Sequence, residues 1–253
     1  MSTPSTFECF GLVIHGYPAE EVLKRIDQDI SEGRQTMIVT ANPEILLEGK
    51  RDPEYWNTLR QADLRLVDGI ALKFAGWLAG TNPVRLSGVD LSETLLQASV
   101  QRGWRVAMIG GDPGNADKAA WEIRKAYPEL AVFAERGGIV GTDGSDDEVG
   151  QEMIFRLTQF APDILLVGFG HPRQERWITR HLHDLPSVKV AVGVGGTIDY
   201  WSGTKRRAPS WMRSFGLEWL WRLITEPSRW KRIFHAIFVF PAVFLSDKLR
   251  TKR

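Results

Sequence analysis

The 253-residue sequence has a single cysteine, Cys9, which excludes an intramolecular disulfide and is compatible with a reducing compartment. It opens without a basic region followed by an apolar stretch, so no secretory signal is predicted. The apolar stretch near its C-terminus, residues 233–245, is interrupted by His235 and Pro241 and falls short of the roughly 20 residues that span a bilayer. These absences favour a cytoplasmic protein.

The charges balance overall, with 32 Lys and Arg against 31 Asp and Glu, but they are unevenly distributed. Residues 205–253 carry twelve Lys and Arg and three acids, and five of the ten tryptophans lie from Trp201 onward. Basic and aromatic residues together indicate binding to a membrane surface or to nucleic acid. Two interpretations of 233–245 stay open: an interfacial helix, or packing on the core or on another subunit, as in a homo-oligomer.

Up to about residue 200, short apolar runs alternate with longer amphipathic stretches. Nearly continuous apolar runs are typical of parallel strands that are covered on both faces. The sequence therefore predicts an α/β fold: an open, mostly parallel, Rossmann-like sheet with helices on both faces, followed by a helical C-terminal appendage. We expect a catalytic part over 1–204 and the appendage over 205–253. The strand runs are 8–14, 36–41, 64–67, 105–110, 130–135, 163–170 and 188–196.

Ligands of such sheets bind beyond the carboxyl ends of the strands, so the residues that follow each run are considered together. They form a polar, glycine-rich set that includes Thr40, Asn42, Asp68, Gly110, Gly111, Gly114, Asn115, Gly168, Gly170, His171, Arg173, Gln174, Glu175, Gly195 and Gly196. Backbone N–H groups of a glycine turn at a helix start, as in 106–120, can hold a diphosphate. This turn lacks the dinucleotide pattern G-x-G-x-x-G and is a weak signal alone.

Simpler explanations exist for several of these residues. Asn42 before Pro43 has the pattern of a helix N-cap, and Asp68 before Gly69 could cap the next helix. The alternative role for Asp68 is that of a carboxylate that removes a proton from an attacking hydroxyl. The histidines show no metal-ligand spacing, and the acids near Asp143 are explained by a solvated turn, so no metal site is predicted.

Three arginines of the tail, Arg222, Arg229 and Arg232, are spaced for one face of a continuous helix. Three guanidinium groups would suit a diphosphate, since they form charge-assisted bidentate hydrogen bonds. Pro227 predicts a break between them, and a solvated basic face is the alternative.

The motifs TANPEIL, DGIAL, IGGDPGNADKAA, VGFGHPRQERWI, VGVGGTIDYWSGTKRRAP and GLEWLWRLITEPSRWKR occur in this order between residues 11 and 232. Together they resemble the bacterial surface-polysaccharide glycosyltransferases typified by the wall teichoic acid N-acetylmannosaminyltransferases and the enterobacterial common antigen N-acetylmannosaminuronosyltransferases.

The resemblance implies an inverting transferase, with no cofactor or metal, that moves a sugar from a UDP-sugar to a polyprenyl-diphosphate glycolipid at the inner face of the cytoplasmic membrane. It implies no nucleic-acid partner. It gives Asp68 the role of general base, and assigns substrate contacts to Thr40, Asn42 and Gln174. The turn from Gly110 to Asn115 and the strand end at Gly195 and Gly196 would line the UDP site. The tail would target the membrane, its three arginines binding the lipid diphosphate.

Two alternatives from other classes stay open at this point. One is a nucleotide-dependent oxidoreductase on a Rossmann-like sheet, which the missing G-x-G-x-x-G pattern disfavours. The other is a non-catalytic membrane adaptor, which the joint presence of Asp68, Asn42 and Gln174 disfavours. The identity of the transferred sugar and of the acceptor glycan depends on a few pocket contacts and does not follow from the sequence.

Overall fold

The computed structural model describes residues 6–251. The first five residues, which contributed to the prediction that there is no secretory signal, lie outside the described residues. So do Lys252 and Arg253, two of the twelve basic residues counted in the tail.

An eight-stranded sheet forms the centre of the protein. Its strands are β1 (Thr6–Cys9), β2 (Leu12–His15), β3 (Thr36–Ala41), β4 (Leu64–Val67), β5 (Val106–Gly110), β6 (Val132–Glu135), β7 (Ile164–Gly168) and β8 (Val190–Gly193). They lie in the order β1-β2-β4-β3-β8-β7-β5-β6. β1 pairs with β2 antiparallel and every other pairing is parallel, which confirms the predicted mostly parallel α/β fold.

The first predicted strand needs a correction. Residues 8–14 are not one strand, because the chain turns at Phe10 and Gly11 and returns as β2. Both turn residues have positive φ, 55° and 82°, as in the type I′ turns that are common in two-residue hairpins. Because Phe10, the first turn residue, is apolar, the sequence shows no polar break between the two strands.

Helices cover both faces of the sheet and continue through the C-terminal part. The helices are α1 (Ala19–Ser31), α2 (Pro43–Arg51), α3 (Pro53–Gln61), α4 (Ile70–Leu78), α5 (Gly88–Arg102), α6 (Asn115–Ala126), α7 (Glu148–Phe160), α8 (Arg173–His181), α9 (Thr197–Trp201), α10 (Ser210–Ser214), α11 (Glu218–Thr225), α12 (Trp230–Phe234) and α13 (Phe240–Thr251). Four of them, α2, α3, α5 and α7, begin with a side-chain cap that accepts a hydrogen bond from a backbone N–H of the first turn; the caps are Asn42, Asp52, Ser87 and Asp147.

The core lies in two layers, because alternate side chains of the buried strands point to opposite faces of the sheet. Val39 and Val167 belong to one layer, and Ile38 and Leu166 belong to the other. The side chains of both layers are almost fully excluded from solvent, as expected of parallel strands between helices.

The C-terminal helices pack on the first of these layers. Phe240 and Phe244 of α13 are buried and contact the ring of Phe10, with centroids 5.9 Å and 6.2 Å away. A π-helical turn, His235–Val239, joins α12 to α13. Phe234 and Phe238 on the same segment are exposed, so one side of the stretch 233–245 packs on protein and another faces solvent. Among residues 6–251, no helix combines the length and the apolar character that crossing a bilayer would need.

Candidate active site

The carboxyl ends of five adjacent strands, in the order β4, β3, β8, β7 and β5, meet at one edge of the sheet. Neighbouring strands are about 4.8 Å apart, so residues that follow different strands come together there. A first cavity lies at the ends of β4 and β3, and a second lies at the ends of β8, β7 and β5. The two cavities therefore occupy adjoining parts of the same edge.

Asp68 lies in the first cavity, which has a volume of about 120 Å³. It directly follows β4, and its backbone N–H donates to the Ala41 carbonyl at the end of β3, 2.8 Å away. The side chain does not cap the next helix, whose N-cap is Gly69. Asn42 and Arg222 line the same cavity, so the structure brings these three predicted site residues together.

The environment of Asp68 changes its acidity. Burial raises the pKa of the Asp68 carboxyl from 3.8 to about 6, against the opposing effect of the Arg85 and Arg222 guanidinium groups. The nearby Glu218 carboxylate adds to the increase. A carboxylate with such a pKa is ionised near neutral pH and is still basic enough to accept a proton from a hydroxyl group.

Glu218, at the start of α11, was missed by the sequence analysis. Its side chain is buried and accepts a hydrogen bond from Arg85, 3.2 Å away, while the guanidinium of Arg222 lies 3.8 Å from its other oxygen. Arg85 and Arg222 both line the cavity of Asp68. Glu218 thus positions two cations beside the Asp68 carboxylate. Its only sequence signal was its place in the GLEWLWRL motif.

Two further predicted residues have structural contacts of their own. The Asn42 side-chain oxygen accepts from the Ile45 N–H at 3.0 Å, so the helix-cap interpretation is correct, although the residue also faces the first cavity. Thr40 is buried, and its hydroxyl donates to the Gly193 carbonyl across the β3–β8 boundary at 2.9 Å. Thr40 therefore joins β3, whose end borders the first cavity, to β8, whose end borders the second.

The second cavity is larger, about 380 Å³, and its lining includes four basic residues together with Asp112 and Asp199. Arg173 and Arg229 were predicted site residues, whereas Arg136 and Lys205 were not singled out. The predicted residues Gly111, Gly195 and Gly196 also line this cavity. The wall therefore combines backbone close to the cavity with an excess of positive charge, an arrangement that suits an anionic ligand such as a diphosphate.

Asp199 organises the glycine turn beside the second cavity. Its carboxylate accepts from the Asp112 N–H at 3.0 Å and the Asn115 amide at 2.8 Å, and it forms an ion pair with Lys205. Burial raises the pKa of Asp199, but these hydrogen bonds and the Lys205 charge outweigh it and keep the pKa below its usual value. The amide of predicted site residue Asn115 also donates to Thr204, so this side chain supports the turn.

Two glycines of the turn are required by its geometry. Gly110 has a φ of 108°, and a Cβ atom there would lie 2.6 Å from the backbone of Gly168. Gly114 has a φ of 77° and precedes the first residue of α6. Neither glycine lines the second cavity, but together they set the path of the residues that do.

Gln174 and Glu175 lie beneath the cavity wall and not on it. The Gln174 side chain accepts from the Gly195 N–H at 3.0 Å and donates to Glu175 at 2.7 Å. Glu175 is fully buried and also accepts from the Tyr55 hydroxyl at 3.0 Å. Burial raises the pKa of Glu175, against the opposing effect of these hydrogen bonds. The two residues thus connect the Pro-Arg-Gln-Glu motif to the glycines that follow β8.

A third cavity, about 410 Å³ in volume, lies beside α2. His171 contacts Glu48 at 2.7 Å and Glu44 at 3.4 Å there, and Arg232 of α12 forms an ion pair with Glu44. Burial lowers the pKa of His171, but the hydrogen bonds with Glu44 and Glu48 outweigh it and raise that pKa to about 9. This cluster joins the exit of β7 to the C-terminal helices.

The three tail arginines do not converge on one cavity. Arg222 lines the first cavity, Arg229 the second and Arg232 the third. The 3-10 turn Pro227–Arg229 separates α11 from α12, which is the helix break that Pro227 predicted. Within residues 6–251, His, Cys, Asp and Glu form no group of three or more that could hold a metal ion.

Comparison with known sequences decides the family. A sequence model described as the glycosyl transferase WecG/TagA/CpsF family matches residues 7–253, nearly the whole chain. The protein belongs to this family. The resemblance noted from the motifs is therefore confirmed, and the chain is a member of a glycosyltransferase family.

Three curated relatives are 32% identical to this glycosyltransferase, and each is called an N-acetylglucosaminyldiphosphoundecaprenol N-acetyl-beta-D-mannosaminyltransferase. The relative from Bacillus spizizenii aligns over 88% of this chain and 84% of its own length. The relative from Bacillus subtilis aligns over 82% and 77%, and that from Staphylococcus aureus over 78% and 73%.

Proposed function

We propose that the protein is an inverting glycosyltransferase that moves a hexose-type sugar from a UDP-sugar to a polyprenyl-diphosphate-linked saccharide in bacterial surface-polysaccharide synthesis. The observation that carries the proposal is the position of Asp68, a carboxyl group with a raised pKa, at a sheet edge adjoining a basic, glycine-lined cavity. The names of the relatives support a lipid-diphosphate acceptor.

In this proposal the donor binds in the second cavity. Arg173, Lys205 and Arg136 would neutralise its diphosphate, and the N–H groups of the turn held by Asp199 would contribute further hydrogen bonds. The sugar would then extend toward the ends of β8 and β3. The fixed backbone at Gly195, supported by Gln174, would define that part of the wall.

The acceptor hydroxyl would enter the first cavity. Asp68 removes its proton, the hydroxyl oxygen forms a bond to the anomeric carbon, and the bond from that carbon to the UDP oxygen breaks. UDP leaves with the electron pair, and the basic side chains of the second cavity stabilise its charge. A single displacement inverts the anomeric centre, so one base is sufficient and no enzyme nucleophile is needed.

The C-terminal part would complete both sites. Residues 205–253 supply Arg222 to the first cavity and Lys205 and Arg229 to the second, while residues 1–204 supply the sheet edge. Closure of this part on a bound lipid diphosphate would bring the three tail arginines closer together. Its basic charge would attract the protein to an anionic membrane as a peripheral protein on the inner face.

The test is UDP release by the purified protein with a panel of UDP-sugars, each with and without a polyprenyl-diphosphate-linked saccharide. We expect release to require one particular UDP-sugar together with the lipid-linked acceptor. Nucleotide release from no pair, with NAD(H) binding instead, would replace the proposal with an oxidoreductase. Membrane binding without any nucleotide binding would replace it with an adaptor.

A further inference from the structure

Helix α4 is apolar on its exposed side as well as on its buried side. Leu72, Ala75 and Gly76 pack inward. The exposed side chains recur at i, i+4, i+7 and i+8, which places them on one helical face. They are Ile70, Phe74, Trp77 and Leu78, with 40%, 47%, 66% and 42% of their surfaces accessible. A surface helix of a soluble protein normally has polar residues on its exposed face, so we expect the exposed face of α4 to contact a protein or a membrane.

The first cavity adjoins the start of this face. Ile70 lines the cavity of Asp68, so the apolar face begins at the site proposed for the acceptor hydroxyl. The chain between α10 and α11 lies against the same residue: a Cβ atom on Gly216 would be 3.0 Å from the Ile70 side chain. The neighbouring Phe215 is 76% exposed and extends the apolar surface.

The other end of α4 contacts the C-terminal helix. Lys248 of α13 donates to the Leu78 carbonyl at 2.6 Å, and α13 packs along α4. Leu245 and Leu249, one turn apart on α13, are also exposed. The apolar face of α4 is therefore flanked by the C-terminal helix, which brings Lys248 close to it and carries a second basic residue, Arg250, in the same turn.

We propose that α4 is a membrane-contact element of the α/β part, which enters the interface of an anionic bilayer together with Phe215 and α13. The inference rests on the proposed function, because a lipid-linked acceptor can reach Asp68 only if that cavity opens toward the bilayer. Exposed Trp and Phe beside Lys and Arg are the residues that favour an anionic lipid interface. A second copy of the chain could also bury the apolar face of α4, but it would then cover the first cavity, which Ile70 of this face lines.

The test uses a single reactive cysteine at position 77. The native Cys9 is fully buried, so a thiol reagent will label Trp77→Cys selectively with an environment-sensitive fluorophore. Trp121→Cys on α6 is the matched control, because Trp121 is 60% exposed and lies outside α4 and the C-terminal helices. Both full-length proteins are mixed with phosphatidylglycerol–phosphatidylcholine vesicles, with and without a quencher attached to the lipid chains.

We expect fluorescence at position 77 to increase with vesicles and to be quenched by the lipid-borne quencher, while position 121 does not respond. No change at position 77 in protein that sediments with the vesicles would overturn the proposal, since the tail alone would then make the contact. An increase without vesicles that grows with protein concentration would also overturn it, in favour of self-association.

A charge substitution gives a second measurement. Trp77→Glu should weaken partitioning into these vesicles by roughly tenfold or more, since a buried aromatic contact is replaced by a charge, whereas Trp121→Glu should leave partitioning unchanged. Equal partitioning of the two variants would refute the role of α4. UDP release in detergent should be the same in both, so a loss of membrane contact is distinguishable from a failure of the proposed reaction.

Discussion

The raised pKa of Asp68 leads to a specific pH dependence. If Asp68 is the general base, kcat/KM must follow the ionised fraction of its carboxyl in the free enzyme. The perturbation is a change of pH from 8 to 5 in wild type, compared with Asp68→Asn at each pH. The substitution removes the base while keeping a side chain of nearly the same size in the cavity.

The expected size follows from the environment of the carboxyl. Burial raises the pKa from 3.8 to about 6, so the group is roughly nine-tenths ionised at pH 7 and only about one-tenth ionised at pH 5. Activity should therefore fall about tenfold between these values. A carboxyl at its ordinary pKa would lose only a few per cent over the same range.

The same shift affects stability. Because the folded pKa is raised, the folded protein binds more protons than the unfolded chain between pH 3.8 and about 6, and stability decreases as the pH rises through that window. At neutral pH the ionised carboxylate costs on the order of 1–2 kcal/mol, allowing for its partial exposure. Asp68→Asn should thus melt at a higher temperature than wild type at pH 7.5, and the difference should disappear near pH 4.

The pH profile of kcat/KM is measured by UDP release at acceptor concentrations well below KM, and kcat is measured at saturating acceptor. Thermal unfolding and donor binding are followed on the same preparations. Asp68→Asn should lose a factor of about 10² or more in kcat and keep its donor affinity. A flat rate profile from pH 7 to pH 5, or a variant that retains wild-type turnover, would refute the assignment of Asp68 as base.

Three further predictions concern residues that support the cavities. Asp199→Asn should raise the donor KM by roughly tenfold with little change in kcat, because Lys205 and the glycine turn lose their shared partner. Glu218→Gln should move the acid limb of the rate profile to lower pH, since the Glu218 charge contributes to the raised pKa of Asp68. His171→Gln should lower stability at pH 7 by about 1–2 kcal/mol; that contribution is complete below pH 6.5 and is lost as the pH rises through about 9.

Each of these predictions has a contradicting result. An Asp199→Asn variant with an unchanged donor KM would mean that the turn does not contact the donor. If Glu218→Gln lowers the rate without moving the acid limb, its role is only structural. Urea unfolding of His171→Gln that differs from wild type equally at pH 7 and pH 10 would exclude a contribution from the protonated ring.

Much of the fold was predictable, because buried parallel strands leave a strong pattern in the sequence. The runs 36–41 and 64–67 coincide with β3 and β4, and the other predicted parallel strands differ only at their ends. The hairpin of β1 and β2 was not predictable from periodicity, since Phe10 at its turn continues the apolar run. Tertiary pairing with β4 fixes this hairpin at the edge of the sheet.

The site was predictable as a set of strand ends but not as a set of contacts. Asp68 follows a strand, so its place at the sheet edge could be inferred from the sequence. The hydrogen bond between Glu218 and Arg85 joins residues 133 positions apart, and that between Asn115 and Asp199 joins residues 84 positions apart. Such pairings depend on how the layers pack, which no local pattern encodes.

The same limit applies to the Pro-Arg-Gln-Glu motif. Its polar residues predicted that the motif forms part of a cavity wall, and Arg173 does line the second cavity. Gln174 and Glu175 instead lie in the core, where they are satisfied by Gly195 and Tyr55. Buried polar residues that hydrogen-bond each other cannot be told from ligand-binding ones by residue type alone.

The most direct test of the account is transfer of a radiolabelled sugar from its UDP donor to a polyprenyl-diphosphate-linked saccharide by wild type and Asp68→Asn side by side. We expect a labelled lipid product with inverted anomeric configuration from wild type. We expect no comparable product from the variant, although the variant should bind the donor normally. A product with retained configuration, or equal product from both proteins, would contradict a single displacement with Asp68 as the base.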